Sequence, residues 1–431
     1  MQKSKLSPYN ITLISGKEWL VVFFILCTIL CVRLALEYRA YLALPFETPA
    51  EIQAQIINQY QKTKNDKPYW VLKLNASGHI FYTTSKEDLK FLQGRFVRVY
   101  GKINGKDKCS FFDYLRSCFF INFSFSLLPQ QEITKPIKDY IVSQHTNKQN
   151  ASLFTTLFFA DTLHYSWREV SNLLGLAHIL AISGFHLGIL SLALFVVLAP
   201  MYRLLQRRFF SYRNEAYDLG AIILVLLFLY LVVLDFVPSF LRAYTMAVFG
   251  FLLYFSGLQI FSFKLLGLVG LSCIALFPSA LFNIGFILSM FGVLYIFLFV
   301  RYFPKCNPLL YALCFNLAIF FSITPIVHYF FPYFSPYQLV SIPVSLAFVV
   351  YFPLMIGLHI IGFGGLSDSL LDRVLLLDIP SINYYLPLVP TLLYSALTFG
   401  AIFSKKLYGI MLLCALGFYG FLYAKFLGYL P

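Results

Sequence analysis

The chain has 431 residues, of which 59% are hydrophobic, 19% aromatic and only 12% charged, with a formal net charge of +14 and a mean hydropathy of +0.74. Soluble domains average roughly 45–50% apolar and about 25% charged residues, so this composition excludes a soluble enzyme, a disordered regulator and a secreted disulfide scaffold. Residues 45–130 hold twelve Lys/Arg against seven Asp/Glu, whereas the 256 residues from 176 onward hold twelve against six, so two different environments are joined in one chain.

Apolar runs near the ~20 residues that cross a bilayer fall at about 19–36, 176–199, 218–236, 240–257, 264–281, 284–302, 309–330, 337–362, 384–403 and 406–428, which predicts ten transmembrane helices. The first ends without an A-x-A-like cleavage site and is followed by Arg33, Glu37 and Arg39, so it reads as an uncleaved anchor. Lys3, Lys5 and Lys17 keep its start in the cytoplasm. Residues 45–175 then lie outside, and Arg203, Arg207, Arg208 and Arg213, then Lys264, then Arg301 with Lys305, mark successive cytoplasmic loops. Beyond this point strict alternation puts Asp368, Asp372 and Asp378 inside and Lys405 with Lys406 outside, against the positive-inside tendency. A broken or re-entrant element near Pro343 and Pro353 is the expected remedy.

Between the first two runs, residues 51–127 switch to short alternating segments separated by turn signals. Strands are predicted at Glu51–Gln61, Tyr69–Asn75, His79–Thr84, Arg95–Ile103 and Phe119–Leu127, with a short helix capped by Ser85 and ended by Gly94 after the third. That order is the order of an OB-fold, whose strand face binds oligonucleotides through aromatic platforms and basic side chains. Trp70, Lys73, Tyr82, Arg95, Arg98, Tyr100 and Lys102 are the candidates for such a face; the alternative places the aromatics in the core and leaves the cations as solubilising groups. Cys109 and Cys118, nine positions apart, are a candidate disulfide in an oxidising compartment. Cys27, Cys31, Cys273, Cys306, Cys314 and Cys414 sit in or beside apolar runs and read as buried thiols.

Residues 131–175 are moderately amphipathic, with a helix start at Pro136 and a capping-box pattern at Ser166–Glu169, and read as helices lying on the outer membrane surface. The second apolar run then opens with GLAHILAISGFHLG, Gly175–Gly188. On one continuous helix of about 100° per residue, Ala177, Ala181, Gly184 and Gly188 make a narrow stripe that admits a neighbouring helix. His178, Ser183 and His186 share the opposite side, which must face the bundle or a wet cavity. Three roles stand open for the histidines: a catalytic or metal role, which their spacing of eight does not favour; lining of a conduit; or hydrogen bonding to neighbouring helices. Arg242, one turn into the fourth run, snorkels, pairs with Asp235 or faces a polyanion path. Asn283, Ser289, Thr324, Pro325, His328 and His359 read as structural.

GLAHILAISGFHLG resembles the opening of the competence domain in the ComEC family of natural-competence DNA channel proteins, Gly-Leu-Ser-His-Leu-Leu-Ala-Ile-Ser-Gly-Leu-His-Val-Gly, with Ala177 for the usual Ser and apolar changes at Phe185 and Leu187. Further matches are Phe112-Asp113-Tyr114-Leu115, Asp161, Pro238-Ser239 with Arg242-Ala243 and Met246, Gly285-Phe286 with Leu288-Ser289, and Thr324-Pro325 followed by Phe334 and Pro343. The likeness covers roughly residues 45–365. It implies an α-helical polytopic protein of the bacterial inner membrane with a small all-β OB-fold-like domain on the periplasmic side. The segments are 1–44, first helix; 45–128, β domain; 129–175, connecting helices; 176–365, competence-type bundle; and 366–431, a loop and two last helices.

The implied function is a channel conducting single-stranded DNA into the cytoplasm, with Asp161, His178, Ser183, His186 and Arg242 as lining candidates. The implied partners, besides single-stranded DNA and the lipid bilayer, are a periplasmic DNA receptor, a separate nuclease and a cytoplasmic motor or single-strand-binding protein, with one copy or a homodimer forming the path. Many family members carry a metallo-β-lactamase-like domain with an HxHxDH metal motif; among seven histidines there is no HxH here, and the family's usual Asn before Pro343 is missing. Without a G-x-x-x-x-G-K-[ST] loop the chain has no nucleotide motor of its own. The expectation is therefore a conduit with no metal, no cofactor and no enzymatic activity. A transporter or flippase for another polyanion or lipid-linked glycan, and an intramembrane enzyme using His178 and His186, are the rivals.

Overall fold

The computed structural model describes residues 16–428 apart from 45, 47, 65–66, 77–78, 86–91, 93–94, 104, 106–108, 129–133, 162, 235–236, 256–262 and 305. The predicted short helix between Ser85 and Gly94, the basic start of the chain, Lys305 and the Asp235 partner of Arg242 thus lie outside the described residues. Two compact units share the chain: Gly16–Pro136 with Gly270–Asn283, and Ile137–Val269 with Ile284–Pro431.

The first unit joins α1 (Gly16–Leu42) to five strands, β1 (Ala50–Lys64), β2 (Lys67–Ala76), β3 (His79–Ser85), β4 (Phe96–Ile103) and β5 (Cys118–Leu127), with α2 (Phe111–Arg116) before the last. They close into a barrel in the order β1-β2-β3-β5-β4. Closure depends on the length of β1. Its first half pairs with β4, Ala50 to Gln55 opposite Gly101 to Phe96, and its second half pairs with β2, across a register shift between Ile56 and Asn58. Period-two alternation turns Val97, Val99 and Ile103 of β4 inward to meet Ile56, Leu72, Leu74, Phe81 and Phe120. At Gly101 a Cβ would collide with the Ile121 carbonyl, so only glycine permits β5 to approach β4 at the bulge there. Cys109 and Cys118 form a disulfide, Cα–Cα 5.6 Å. Tyr41 at the end of α1 donates its hydroxyl to the Cys109 carbonyl, 2.8 Å.

The second unit is helical: α3 (Lys135–Val142), α4 (Lys148–Phe159), α5 (Tyr165–Leu173), α6 (Ala177–Leu180), α7 (Gly184–Phe209), α8 (Glu215–Val233), α9 (Pro238–Phe255), α10 (Phe263–Leu276), α11 (Ile284–Tyr302), α12 (Pro308–Phe330), α13 (Ser341–Ile360), α14 (Asp368–Leu375), α15 (Leu388–Ala401) and α16 (Lys405–Leu427). The first two residues of α3 and the last seven of α10 belong to the other unit. Among the described residues seven helices are long and apolar enough to cross a membrane; three further apolar runs form shorter helices, Ser239–Leu252, Phe263–Leu276 and Leu388–Ala401. The cap of α5 is His164, whose ring accepts the Ser166 N–H, so the predicted capping box at Ser166 lies inside the helix instead. None of the six thiols expected to be buried is fully so: Cys27, Cys273 and Cys314 are half-buried and Cys31 and Cys414 exposed, because these helices turn apolar side chains outward as well as inward, and Cys306 is exposed in the loop before α12.

The second unit also shows which of its turns share an end. Arg301 Nη1 and the Tyr302 hydroxyl both donate to the Ile402 carbonyl, 2.9 and 3.2 Å. The end of α11 and the Lys405–Lys406 turn therefore share one end of the unit. At the other end β6 (Tyr333–Phe334) pairs with β7 (Ile382–Asn383), and Leu386 N–H donates to the His328 carbonyl, 2.8 Å. The chain thus leaves and re-enters the same end around α13 and α14, and α15 starts where α12 stops. Of the two predicted remedies, the break at Pro343 and Pro353 does not occur, since α13 is one helix with Pro353 inside it, whereas the excursion of α13 and α14 that returns to its starting end is the re-entrant one. The strand pair closes that excursion, and the basic residues Arg301, Lys405 and Lys406 fall together.

Candidate functional site

The run predicted as one helix from 176 is broken. Gly175 takes a left-handed conformation, φ +68°, against Gln338, and α6 lasts a single turn. Ala181 and Ser183 are extended before α7 begins at Gly184. Ser183 starts α7 because its hydroxyl accepts the Phe185 N–H, 3.3 Å, while His186 Nδ1 accepts the Ser183 N–H, 3.3 Å, a reciprocal cap that satisfies two of the orphan donors of a helix start. The break is held from outside by Ser239 of α9, whose hydroxyl donates to the Ile182 carbonyl, 2.6 Å.

The break overturns the helical-wheel reading, because residues on either side of it no longer share a phase. Ala177 and Ala181 are separated from Gly184 and Gly188, and the four make no continuous stripe. A Cβ on Gly184 would meet Ala243 of α9 at 3.4 Å, so that glycine does admit a neighbour, but one on Gly188 would meet nothing within 4 Å. The histidines part company as well. His186 is 1% exposed, its Nε2 has no hydrogen-bond partner, and its ring stands edge-on to Phe348 and Phe352, 5.4 and 5.0 Å. It is a cap wedged in an apolar seam. His178 is exposed. With it, Ala177, Ala181, Gly184 and Phe185 are also exposed, and Ser183 is half-buried.

Arg242 is half-buried on α9 with its guanidinium 5.8 Å from the Phe286 ring centre. Asp161, next to Ala160 that packs against the cluster of Ile182 and Leu187, is ion-paired to Lys138, 2.7 Å, whose ammonium also lies over Phe159. The structure therefore brings the break against α9 at two points, Ser239 on Ile182 and Ala243 on Gly184, keeps His186 with Ser183 as its cap partner, and engages Asp161 with Lys138.

The basic and aromatic candidates of the barrel do not share one face. Lys73 and Tyr82 are cross-strand partners on β2 and β3, with the ammonium 5.9 Å from the ring centre. Burial lowers the pKa of Lys73 below its ordinary value. Trp70 has the parity of the inward-facing Leu72 and Leu74, so it does not lie beside Lys73. Arg98, Tyr100 and Lys102 alternate outward along β4, which β1 separates from β2 on one side and β5 from β3 on the other. Arg98 is paired with Glu51, 2.6 Å, Tyr100 lies 6.1 Å from Phe123, and Arg95 precedes the strand. The result is two patches, one on β2 and β3 and one on β4 and β5. Among the described residues no three His, Cys, Asp or Glu side chains are grouped to hold a metal ion.

His186→Ala should cost about 1–2 kcal/mol through the lost reciprocal cap, read as a lower melting temperature of the purified protein. His186→Gln restores an acceptor for the Ser183 N–H and should recover most of that loss. An acid–base role would give the opposite pattern, with both variants equally inactive and equally stable.

The family model described as Competence protein matches residues 157–426, which contain the helix break and Arg242 but not the barrel patches. No curated protein and no solved structure matches the chain.

Proposed function

The chain belongs to the competence protein family, and from that premise we propose that it is the inner-membrane conduit through which single-stranded DNA reaches the cytoplasm during natural transformation. The observation that carries the reading is the interrupted helix, where His178, Ala181 and Gly184 are exposed and Gly184 lies against Ala243 of α9, next to Arg242. Irregular backbone at membrane depth is tolerated only where protein or a water-filled cavity satisfies it, and small residues beside a cation leave room for a phosphate backbone. In this reading the barrel is an OB-fold on the periplasmic side, supported by its strand order and by its parallel β3–β5 pair, Phe81 with Cys118 and Tyr82 with Phe119. Its two outward patches collect single strands, Tyr100 and Phe123 by stacking and Lys73 and Lys102 by charge. The chain supplies no chemistry: a separate nuclease, a periplasmic receptor and a cytoplasmic motor act with it, on one copy or on a homodimer.

A strain lacking the chain, offered fluorescent DNA, should accumulate it outside the inner membrane and lose transformants by orders of magnitude. The purified protein should bind single-stranded DNA with log affinity falling linearly with log salt, by about 0.7 for each phosphate contact. Normal transformation by the deletion strain removes the reading. Salt-insensitive or absent binding, with transformation still lost, moves the collecting role from the barrel to a partner.

A further inference from the structure

A chain of buried polar side chains joins the turn after α3 to the end of α13 and the start of α14. Asp368 Oδ1 lies 2.8 Å from His145 Nδ1, His145 Nε2 lies 3.0 Å from His359 Nε2, and His359 Nδ1 lies 2.7 Å from the Met355 carbonyl oxygen. The side chains of His145 and Asp368 are 0% and 5% exposed, and His359 is 3% exposed. Phe154 stacks on His145, and Phe158 stands edge-on to His359. The other carboxylate oxygen of Asp368 accepts the Thr146 N–H, 2.9 Å, and its hydroxyl, 3.2 Å. Gln144 clasps the same place, donating to the His359 carbonyl, 3.0 Å, and accepting the Gly364 N–H, 2.8 Å.

The three contacts fix how many hydrogens the chain holds. A backbone carbonyl only accepts, so His359 Nδ1 carries a hydrogen. One more lies between the two Nε2 atoms, and a third between His145 and the carboxyl of Asp368. A carboxylate and two neutral imidazoles bring only two. Wherever it rests, one extra proton is present, and with it the three groups are neutral together, as a buried cluster walled by phenylalanines needs to be. We propose that Asp368, His145 and His359 form a binding site for one proton, and that this proton locks the Gln144–Asn147 turn onto α13 and α14.

Release of the proton sets two lone pairs against each other at one contact and leaves a net negative charge in an apolar enclosure. The other ionisable groups facing the chain are Asp372 of α14, held by Asn147 and Asn150 at 2.7 and 2.8 Å, Tyr351 of α13, which donates to Ser367, and Tyr140 of α3, whose hydroxyl abuts Gly362. None of these contacts supplies the missing hydrogen. Because α13 also carries Phe348 and Phe352 against His186, the proton site and the helix break share one helix; a bearing on DNA passage rests on the conduit reading, but the site itself does not.

The test uses the full chain in lipid nanodiscs, with hydrogen exchange of peptides covering residues 143–150 and 361–372 followed from about pH 5 to 10 and corrected for intrinsic rates. Over the pH range in which the closed site keeps its proton while the opened groups have lost theirs, wild-type opening should increase about tenfold per pH unit, the slope of one linked proton, and level off once the closed site also releases it. In Asp368→Asn the amide donates to His145 Nδ1 and its oxygen still accepts from Thr146, so every contact is met by two neutral rings and the pH dependence should vanish. His359→Gln, whose amide donates to His145 Nε2, should flatten the profile by a second route. A flat wild-type profile overturns the proposal, and so does a wild-type slope in either variant. Because the readout is not transformation, its failure is distinct from failure of the conduit reading.

Discussion

Replacing Phe352 by alanine should lower the stability of the helical unit by about 3–5 kcal/mol, a large share of the roughly 5–15 kcal/mol that holds a typical domain folded, and transformation should fall with it. Phe352 is 1% exposed. Its ring meets His186 edge-on at 5.0 Å, Phe348 at 5.3 Å and Phe158 at 6.0 Å. It is the common wall between the cap of α7 and the packing of α4. Truncation takes away the burial of an aromatic ring and leaves a cavity that the flanking helices cannot fill without moving, because α4, α7 and α13 are each fixed by other contacts. It also removes the apolar cover over His186 Nε2, admitting water to the seam beside the helix break. Phe352→Leu keeps most of the volume and should lose only a fraction of that stability. Thermal unfolding of the purified variants measures the difference, and an alanine variant melting within a degree of wild type would show that the seam carries no such load.

How much of this was legible in the sequence follows from how local each feature is. The apolar runs and the five β segments are readable because burial repeats with a fixed period inside a short window, and every predicted strand matches an observed one within a few residues. The helix break was not read, because wheel arithmetic assumes the continuity it is used to describe. The signal was present: Ser183 precedes His186 by three positions, the spacing of a reciprocal cap, and a cap residue inside an apolar run marks a helix start. The barrel candidates fall into two patches for two reasons: Trp70 and Lys73 have opposite parity on β2, which alternation alone shows, and β1 and β5 stand between β4 and the β2–β3 pair, which only pairing fixes. The His145, His359 and Asp368 cluster had no readable signal at all. His145 is 214 positions from His359 and 223 from Asp368, and each taken singly is an ordinary polar residue beside a span. The acidic turn that spoiled the charge parity is explained by the same cluster, since Asp368 and Asp372 are both engaged by the turn after α3.

Breaking the Cys109–Cys118 bridge, by reductant or by the double substitution Cys109→Ala and Cys118→Ala, should cost the barrel about 2.5–3 kcal/mol in the chain-entropy account of a loop this short. The sequence separation is nine, so the loop term alone is modest, but its position magnifies the structural consequence. Cys118 is the first residue of β5 and stands opposite Phe81 of β3 in the parallel pairing that closes the barrel. Between the cysteines, α2 is capped by Ser110 and Asp113, and burial of Tyr114 and Leu115 is what ties it to the core. Once the bridge is gone, α2 and the start of β5 are held by those contacts and two pairings, and they should open together. Hydrogen exchange across residues 111–120 in the intact chain reads this directly: amides that exchange through that opening should do so about a hundredfold faster, the factor that corresponds to a loss of this size, while α7 and α8 keep their protection. Equal protection in the reduced and oxidised protein would mean that β3 and β5 hold the barrel shut without the bridge, and faster exchange throughout the chain would mean that the bridge serves the whole fold.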